Sequence, residues 1–447
     1  MSIMRRETTG AGACFRARVD PLGLRPLFVR RIKTSGDGSI VSCRIGELVR
    51  ADDTIDPLGL ATLLTLGFPL ADRTLWCEIR RVEAGEQVDA STGGRVGLLH
   101  AIQPQQRPPT DDELHEVFME ALRTSIGSNA PIVLLSGGRD SRLIYLGLRA
   151  LGIRPRTMLT SGRFGASADA RVAARLASAF GDPIEEVPLA PFSMETELWR
   201  HRAQSFESLE HGWFLSTALR ARALGGMVTD GIGLGVLPTG SLMKAEAIAL
   251  WRSGKLDELA NWTVKHSAGV GDEFLDALRE ARIPLASSDE VRGAIVDALR
   301  CLAHLPNPLG AFSLFHWTRR GISASAFGLL DADRTIAPLT EPTLAVALLA
   351  EDVECAAASD WRERLLRRMD PTGIPFADQL PIAQQQRRRR SPYGALAWRR
   401  FTQSAPPQFF PVIAAASQSS PAQRSFPRAA LGLLAASGLW NSAQSKQ

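Results

Sequence analysis

The 447-residue chain has little of what usually announces a mechanism. Its five cysteines, Cys14, Cys43, Cys77, Cys301 and Cys355, are odd in number, far apart and without a CxxC or Cys/His spacing. That excludes a disulfide framework and a thiolate zinc site, and the five read as small buried apolar residues. No stretch approaches the run of about 20 apolar residues that a membrane span needs. The N-terminal MSIMRRETTG has no apolar core behind its arginines. A cytoplasmic location and no membrane partner are therefore expected. An excess of one charge is also missing: 52 basic against 47 acidic residues leave +5, scattered along helices, so nucleic acid is not an expected partner. The dense run Arg387, Arg388, Arg389 and Arg390 in QQQRRRRSP reads as a solvated loop or as a face toward an anionic ligand. The Walker A pattern GxxxxGK[ST] is absent too, so transfer of a γ-phosphate is not expected.

A composition of 45% hydrophobic and 22% charged residues suits a globular chain of two or three units with a substantial core. Residues 1–105 read as short strands and turns (LFVRRI, SIVSCRI, TLWCEIRRV) around one helix-like stretch, DPLGLATLLTLG. The proline-bearing IQPQQRPPTDDE breaks the pattern and sets a boundary near 105. A helix follows over PPTDDELHEVFMEALRTSIG, with Thr110 or Asp111 as its cap and Leu114, Phe118 and Leu122 on one face. An α/β rhythm comes next. PIVLL, RTMLT, PIEEVPL and MVT read as strands, and SRLIYLGLRALG, ADARVAARLASAFG and SLEHGWFLSTALRARALGG read as the helices between them. Such alternation predicts a parallel sheet with ligands beyond the carboxyl ends of its strands, where the turns SGGRD and DGIGLG fall. Residues 250–375 read as helical, and beyond 385 an Arg-rich and then Ala/Ser/Pro-rich tail is expected to lack order in part.

The segment PIVLLSGGRDSR, 131–142, carries the chemistry. Phosphate binding needs backbone N–H groups at a helix N-terminus and glycines that let the backbone come close. Gly137 and Gly138 supply the turn, Ser136 and Ser141 add hydroxyls, and Asp140 can hold a Mg²⁺ bound to the phosphates. A plain strand-to-helix turn would account for the glycines but not for the serines and Asp140. TDGIGLG lacks GxGxxG spacing, because position 236 is Val, and no clear helix begins directly behind it. Its Asp230 reads as a second metal carboxylate or as a turn aspartate.

VLLSGGRDSRLI resembles the synthetase domain of the asparagine synthetase family, whose signature is an apolar strand followed by SGGxDS. Upstream, DPLGLRPLFV, SIVSCRIGELV and TLWCEIRRVEAGEQV are similar in order and spacing to the second half of that family's class II glutamine amidotransferase domain. Downstream, ADARVAARLASAFG resembles the helix bearing the family's acidic residue, here Asp169, and WRERLLRRMDPTGIP its late helix before a C-terminal basic loop. The resemblance spans about residues 18–390. It implies an α/β fold: a parallel-sheet ATP-pyrophosphatase domain (adenine nucleotide alpha hydrolase-like) over 106–385 with a helical C-terminal part. A small, mostly β, reduced amidotransferase-like domain precedes it at 1–105, and a tail follows at 386–447.

The function implied is an ATP-dependent amide ligase. ATP lies over Leu135, Ser136, Gly137, Gly138, Asp140 and Ser141, with Mg²⁺ between the phosphates, Asp140 and Asp230. A small-molecule or peptide carboxylate is adenylated, with release of pyrophosphate, and ammonia or an amine displaces AMP. Asp140 and Arg320 are the implied catalytic residues, with Arg139, Arg142, Arg319 and the 387–390 run as further candidates to meet the pyrophosphate. Two departures narrow this. Ser2 follows Met1 and Cys14 is not at a processed N-terminus, so a glutaminase is not expected and the nitrogen is free ammonia or an amine, as in relatives that close β-lactams or lasso-peptide rings. The family's acidic GEGADELFGG-like loop is here TDGIGLGVL, with Asp230 its one acidic residue. A homodimer is compatible with this reading. The alternatives are an enzyme that adenylates a tRNA base, and a degenerate binding or scaffold protein.

Overall fold

A computed structural model describes residues 4–9, 12–31, 39–89, 95–96, 107–127, 130–162, 168–189, 193–210, 212–267, 269–380, 399–400, 402–403, 405–418 and 425–439. The expected boundaries near 105 and 385 and the arginines at 387–390 lie outside these residues. Two small antiparallel sheets form the N-terminal unit. One has the order β1-β2-β6-β7 (Met4–Thr9, Gly12–Arg18, Gln87–Asp89, Arg95–Val96) and the other β4-β3-β5 (Ser39–Ser42, Phe28–Arg31, Ile79–Arg81). The helix Pro57–Leu66 packs beside them; Asp56 caps its first turn by accepting the N–H groups of Leu58 and Gly59, and Gly67 ends it at φ +90°.

The second unit is an α/β layer structure. Its five-stranded parallel sheet has the order β10-β9-β8-β11-β12, that is Ile184–Pro188, Thr157–Gly162, Ile132–Leu134, Val228–Thr229 and Thr335–Ile336. Ile132 lies opposite both Thr157 and Val228, so β8 is the central strand. Its side chains Ile132 and Val133 are wholly buried, as expected of a strand covered on both faces. The helix Asp111–Ile126 begins at a capping box: Thr110 accepts from Glu113 N–H while Glu113 reaches back to the Thr110 backbone. Its buried stripe, Leu114, Phe118 and Leu122, meets the main core.

Three sequence expectations change. The fifth strand, Thr335–Ile336, sits inside the stretch read as helical; two residues between DADR and AP are too short for any periodicity to show. Ser208, Leu209 and Glu210 are not helical; a short 3-10 turn, Gly212–Phe214, leads into the α-helix, which is only Leu215–Leu224. The tail forms the helices Phe410–Gln418 and Ser425–Ala436, whose Val412, Leu431, Leu433 and Leu434 are buried in a core shared with Phe28, Leu63, Phe206 and Phe274. Apolar residues at helical spacing on that segment outweigh its polar, proline-rich composition.

The two units are joined by buried charge. Glu207 lies between the guanidinium groups of Arg81 and Arg320, pairing with Arg81 Nη1 and accepting from Arg320 Nε at 2.8 Å. Arg81 also donates to Gly23 O at 2.8 Å, and Arg320 to the carbonyls of Ala71 and Arg73. Arg319 crosses the same boundary to Val82 O at 2.9 Å and Glu83 at 2.7 Å, running under Gly23, where a Cβ would come within 2.8 Å of Arg319 Nε. Burial pulls the Arg81 pKa down to about 9. Removing the carboxylate from between two buried cations is costly, on the order of 3–5 kcal/mol. Glu207→Ala is therefore expected to lower stability in urea unfolding by about that amount, and a change below about 1 kcal/mol would show that the bridge is not a structural tie.

Candidate functional site

In a parallel sheet of this order the chain leaves β8 toward β9 and β10, then returns to add β11 and β12 on the other side. The reversal lies between β8 and β11, and the loops after those two strands diverge to leave a crevice at their carboxyl ends. Both glycine turns fall there. A cavity of about 380 Å³ opens between them, lined by Ser136, Asp140 and Ser141 from the first turn and Asp230, Gly231, Gly233 and Gly235 from the second.

The first turn is braced internally. Ser136 N–H donates to Ser141 Oγ at 2.9 Å, the two hydroxyls lie 2.9 Å apart, and Gly138 N–H donates to Ser136 Oγ at 3.2 Å. The helix Arg139–Ala150 then starts with Gly138 as its cap residue, and among the described residues no side chain caps its first turn. Its N-terminal N–H groups are available to a ligand anion. The two glycines have different reasons. Gly137 is packed: a Cβ there would meet the Ala377 side chain at 2.7 Å and Asp169 Cα at 3.0 Å. At Gly138 a Cβ would meet only Ser136 Oγ, at 3.3 Å.

The second turn is shaped around two charged side chains. Gly231 leaves room for Asp140, whose Cβ would lie 2.7 Å from an added Cβ; Gly233 has φ +78°; Gly235 lets the Arg362 guanidinium pass where a side chain would overlap it. Arg362 comes from the start of the helix Trp361–Met369 and pairs with Asp140. Its other edge is held by Asp360, which accepts Arg362 Nε at 2.9 Å and also caps the helix by accepting the Arg362 backbone N–H at 2.9 Å. A short helix, Val236–Thr239, does follow this turn, contrary to the sequence expectation; four residues leave no periodic trace. Asp230 is fixed through its N–H to Ile336 O at 3.0 Å. Burial, and then the charge of Asp140, push its carboxyl up to about 7. Burial also raises the pKa of Asp140, against the pull of Arg362.

The structure thus brings together Leu135, Ser136, Asp140, Ser141 and Asp230 around one cavity. Of the expected arginines among the described residues, Arg139, Arg142, Arg319 and Arg320, it brings none to the cavity. Arg139 pairs with Glu363 at 2.6 Å and Asp378 at 2.7 Å, and Arg142 is buried against Asp370 at 3.0 Å and Ile374 O at 2.6 Å. Both lie over the Phe376 ring, at 4.3 and 4.4 Å, and so fasten the segment that covers Gly137. Arg320 is corrected as well: it lines no part of the cavity and is held between the units by Glu207. Among the described residues the cation that lines the cavity is Arg362, in WRERLLRRM, which no sequence motif singles out. The one local signal is an aspartate cap two residues before an arginine.

The remaining wall is apolar and aromatic, with Leu159, Trp213, Phe214, Trp317 and Ile322. Among the described residues no group of three His, Cys, Asp or Glu side chains is placed to hold a metal ion. Mg²⁺ that arrives on phosphates needs only one or two protein carboxylates, and the neighbouring Asp140 and Asp230, the first of which raises the second's cost of ionisation, fit that lesser requirement. No helix among the described residues is long and apolar enough to cross a membrane. No protein-family model matches the chain, and no curated protein matches it significantly.

The Asp230 carboxyl generates a stability prediction. Its folded pKa, about 7, lies above the unfolded value near 3.8, so the fold binds that proton more tightly and loses stability as pH rises from about 4 to about 7. Asp230→Asn removes the penalty, and its gain is expected to be small at pH 4 and on the order of 4 kcal/mol at pH 8. Thermal melts of both proteins at the two pH values check this. An equal shift at both would mean that Asp230 ionises normally.

Proposed function

We propose that the cavity between β8 and β11 binds ATP, and that the chain is an ATP-dependent carbon–nitrogen ligase of the asparagine synthetase type, with an ATP-pyrophosphatase domain. One observation carries the reading: the uncapped N-terminus of the helix Arg139–Ala150 and the Arg362 guanidinium meet at one cavity at the sheet's switch point. The phosphates lie over Ser136, Gly138 and the first turn of that helix. Asp360 keeps one edge of the Arg362 guanidinium, and the edge that meets Asp140 is the one offered to a phosphate oxygen. Asp140 and Asp230 would hold Mg²⁺, which when bound neutralises charge on the pyrophosphate.

A substrate carboxylate oxygen attacks the α-phosphorus. The bond from that phosphorus to the bridging oxygen breaks, and pyrophosphate leaves with the electron pair. An amine or ammonia then adds to the acyl carbon of the adenylate, AMP departs, and the nitrogen loses a proton. The residues act by positioning and by meeting the charge that develops on the leaving group. The nitrogen is supplied as ammonia or an amine: Cys14 lies within β2, opposite Glu7, in a strand rather than at a free amino end. The Asp140–Arg362 pair favours one second reading, a nucleotide-binding protein without turnover, since it ties up the carboxylate and the cation together.

The test is product identity. With Mg-ATP, a panel of carboxylic acids that includes aspartate, and hydroxylamine as a trapping amine, the wild type is expected to form AMP, pyrophosphate and a hydroxamate. Arg362→Ala is expected to lower the rate by about 10²–10³-fold, and Asp140→Ala by at least as much. ADP and phosphate as products would overturn the adenylation, and nucleotide binding with no products from any acid would favour the second reading.

A further inference from the structure

The aromatic wall of the cavity contains hydroxyls that find no hydrogen-bond partner among the described residues. Ser161 on β9 and Thr217 on the helix Leu215–Leu224 both line the cavity, and neither hydroxyl oxygen has a hydrogen-bond partner. Thr217 is 97% buried by its 3% relative exposure, so solvent does not satisfy it. Ser325, on the helix Ser323–Leu330, lines the same wall, and its oxygen has one partner, Gln204 Nε2.

Its direction is set by a chain of buried groups. Arg200 Nη1 donates to Gln204 Oε1 at 2.6 Å, and Arg200 is itself fixed by Glu197, which accepts its Nε at 3.0 Å, and by Glu210 O at 2.9 Å. A guanidinium has only donors, so the amide oxygen of Gln204 must face it and the amide nitrogen must face the other way. That nitrogen donates to Ser325 Oγ at 2.8 Å. With its oxygen already accepting, Ser325 keeps a proton to give, and the cavity is the side left for it. The chain starts beneath the C-terminal helix Ser425–Ala436, where a Cβ on Gly432 would meet Glu197 Cγ at 3.1 Å.

We propose that Ser325 is a specificity-determining hydrogen-bond donor in the cavity's aromatic wall, that Gln204 and Arg200 are the positioning residues that aim it, and that the group recognised is an uncharged nitrogen heterocycle. Trp213, Phe214 and Trp317 offer ring faces for a planar partner, and the hydroxyls seek in-plane lone pairs. Among the described residues, the charged side chains that line the cavity, Asp140, Asp230 and Arg362, sit at the end taken by the glycine turns. Such a ring belongs either to the nucleotide or to the acid that is activated. The proposal uses the ATP reading only for what occupies that end.

Calorimetry with adenosine and with nicotinamide separates the two sources, using wild type, Ser325→Ala, Gln204→Glu and the double variant. Gln204→Glu keeps the partner of Arg200 but presents a carboxylate to Ser325, which must then donate inward, away from the ligand. Each single variant is expected to weaken binding by about tenfold, with the double variant no weaker than either, and with each variant still folded at the assay temperature by its melting curve, Ser325→Ala somewhat lowered because buried Gln204 loses its acceptor. Weakened adenosine binding assigns the wall to the nucleobase; weakened nicotinamide binding with adenosine unchanged assigns it to a ring on the acid. Wild type that binds neither compound, or variants that bind as wild type does, would overturn the proposal. Heterocycle binding of this kind without any pyrophosphate release would sink the ligase reading alone.

Discussion

Adjacent parallel strands whose connections leave in opposite directions cannot close over their own carboxyl ends, and the crevice between β8 and β11 is the result. The rest of the site follows from that constraint. The turn after β8 feeds a helix whose open N-terminus faces the crevice, and the turn after β11 has to pass close by it. Glycine at 231, 233 and 235 is what permits the approach, since the Asp140 backbone, a positive φ and the Arg362 guanidinium occupy the space that side chains would need. This loop is a mould for charged groups from elsewhere in the chain, and its own chemical contribution is Asp230.

The arginines divide sharply by role. Arg81, Arg319 and Arg320 hold the N-terminal β unit to the α/β unit through Glu207, Glu83 and backbone carbonyls. Arg139 and Arg142 fasten the segment around Phe376 over the SGG turn. Arg200 organises the polar chain that ends at Ser325. Each of these is buried or paired on more than one side, which makes it a structural cation. Arg362 is likewise buried and paired on both edges, by Asp360 and by Asp140, but it lines the cavity, and Asp140 lines it too, so that the edge between them is the one a ligand could compete for.

Local chemistry was legible in the sequence and distant pairing was not. The capping box at Thr110, the strand–turn–helix at 131–142 and the buried stripe of Asp111–Ile126 all rest on interactions within four or five residues, so spacing alone reports them. The partner of Arg320, Glu207, lies 113 residues away and that of Arg362, Asp140, 222 residues away, so no local pattern reports either role. Thr335–Ile336 was missed because a two-residue strand has no period. The order in the tail was hidden by composition: Ala, Ser and Pro dominate it, while burial is decided by a few residues such as Leu431 and Leu434.

The central claim is that an adenine nucleotide places its phosphates at the start of the helix Arg139–Ala150. The most direct measurement is a crystal structure with α,β-methylene-ATP, which cannot be cleaved between the α- and β-phosphorus atoms. Phosphate oxygens are expected within hydrogen-bond distance of the turn at 136–141, with Arg362 turned from Asp140 toward them. A nucleotide bound elsewhere, or this cavity unchanged at saturating nucleotide with Arg362 still on Asp140, would contradict the claim.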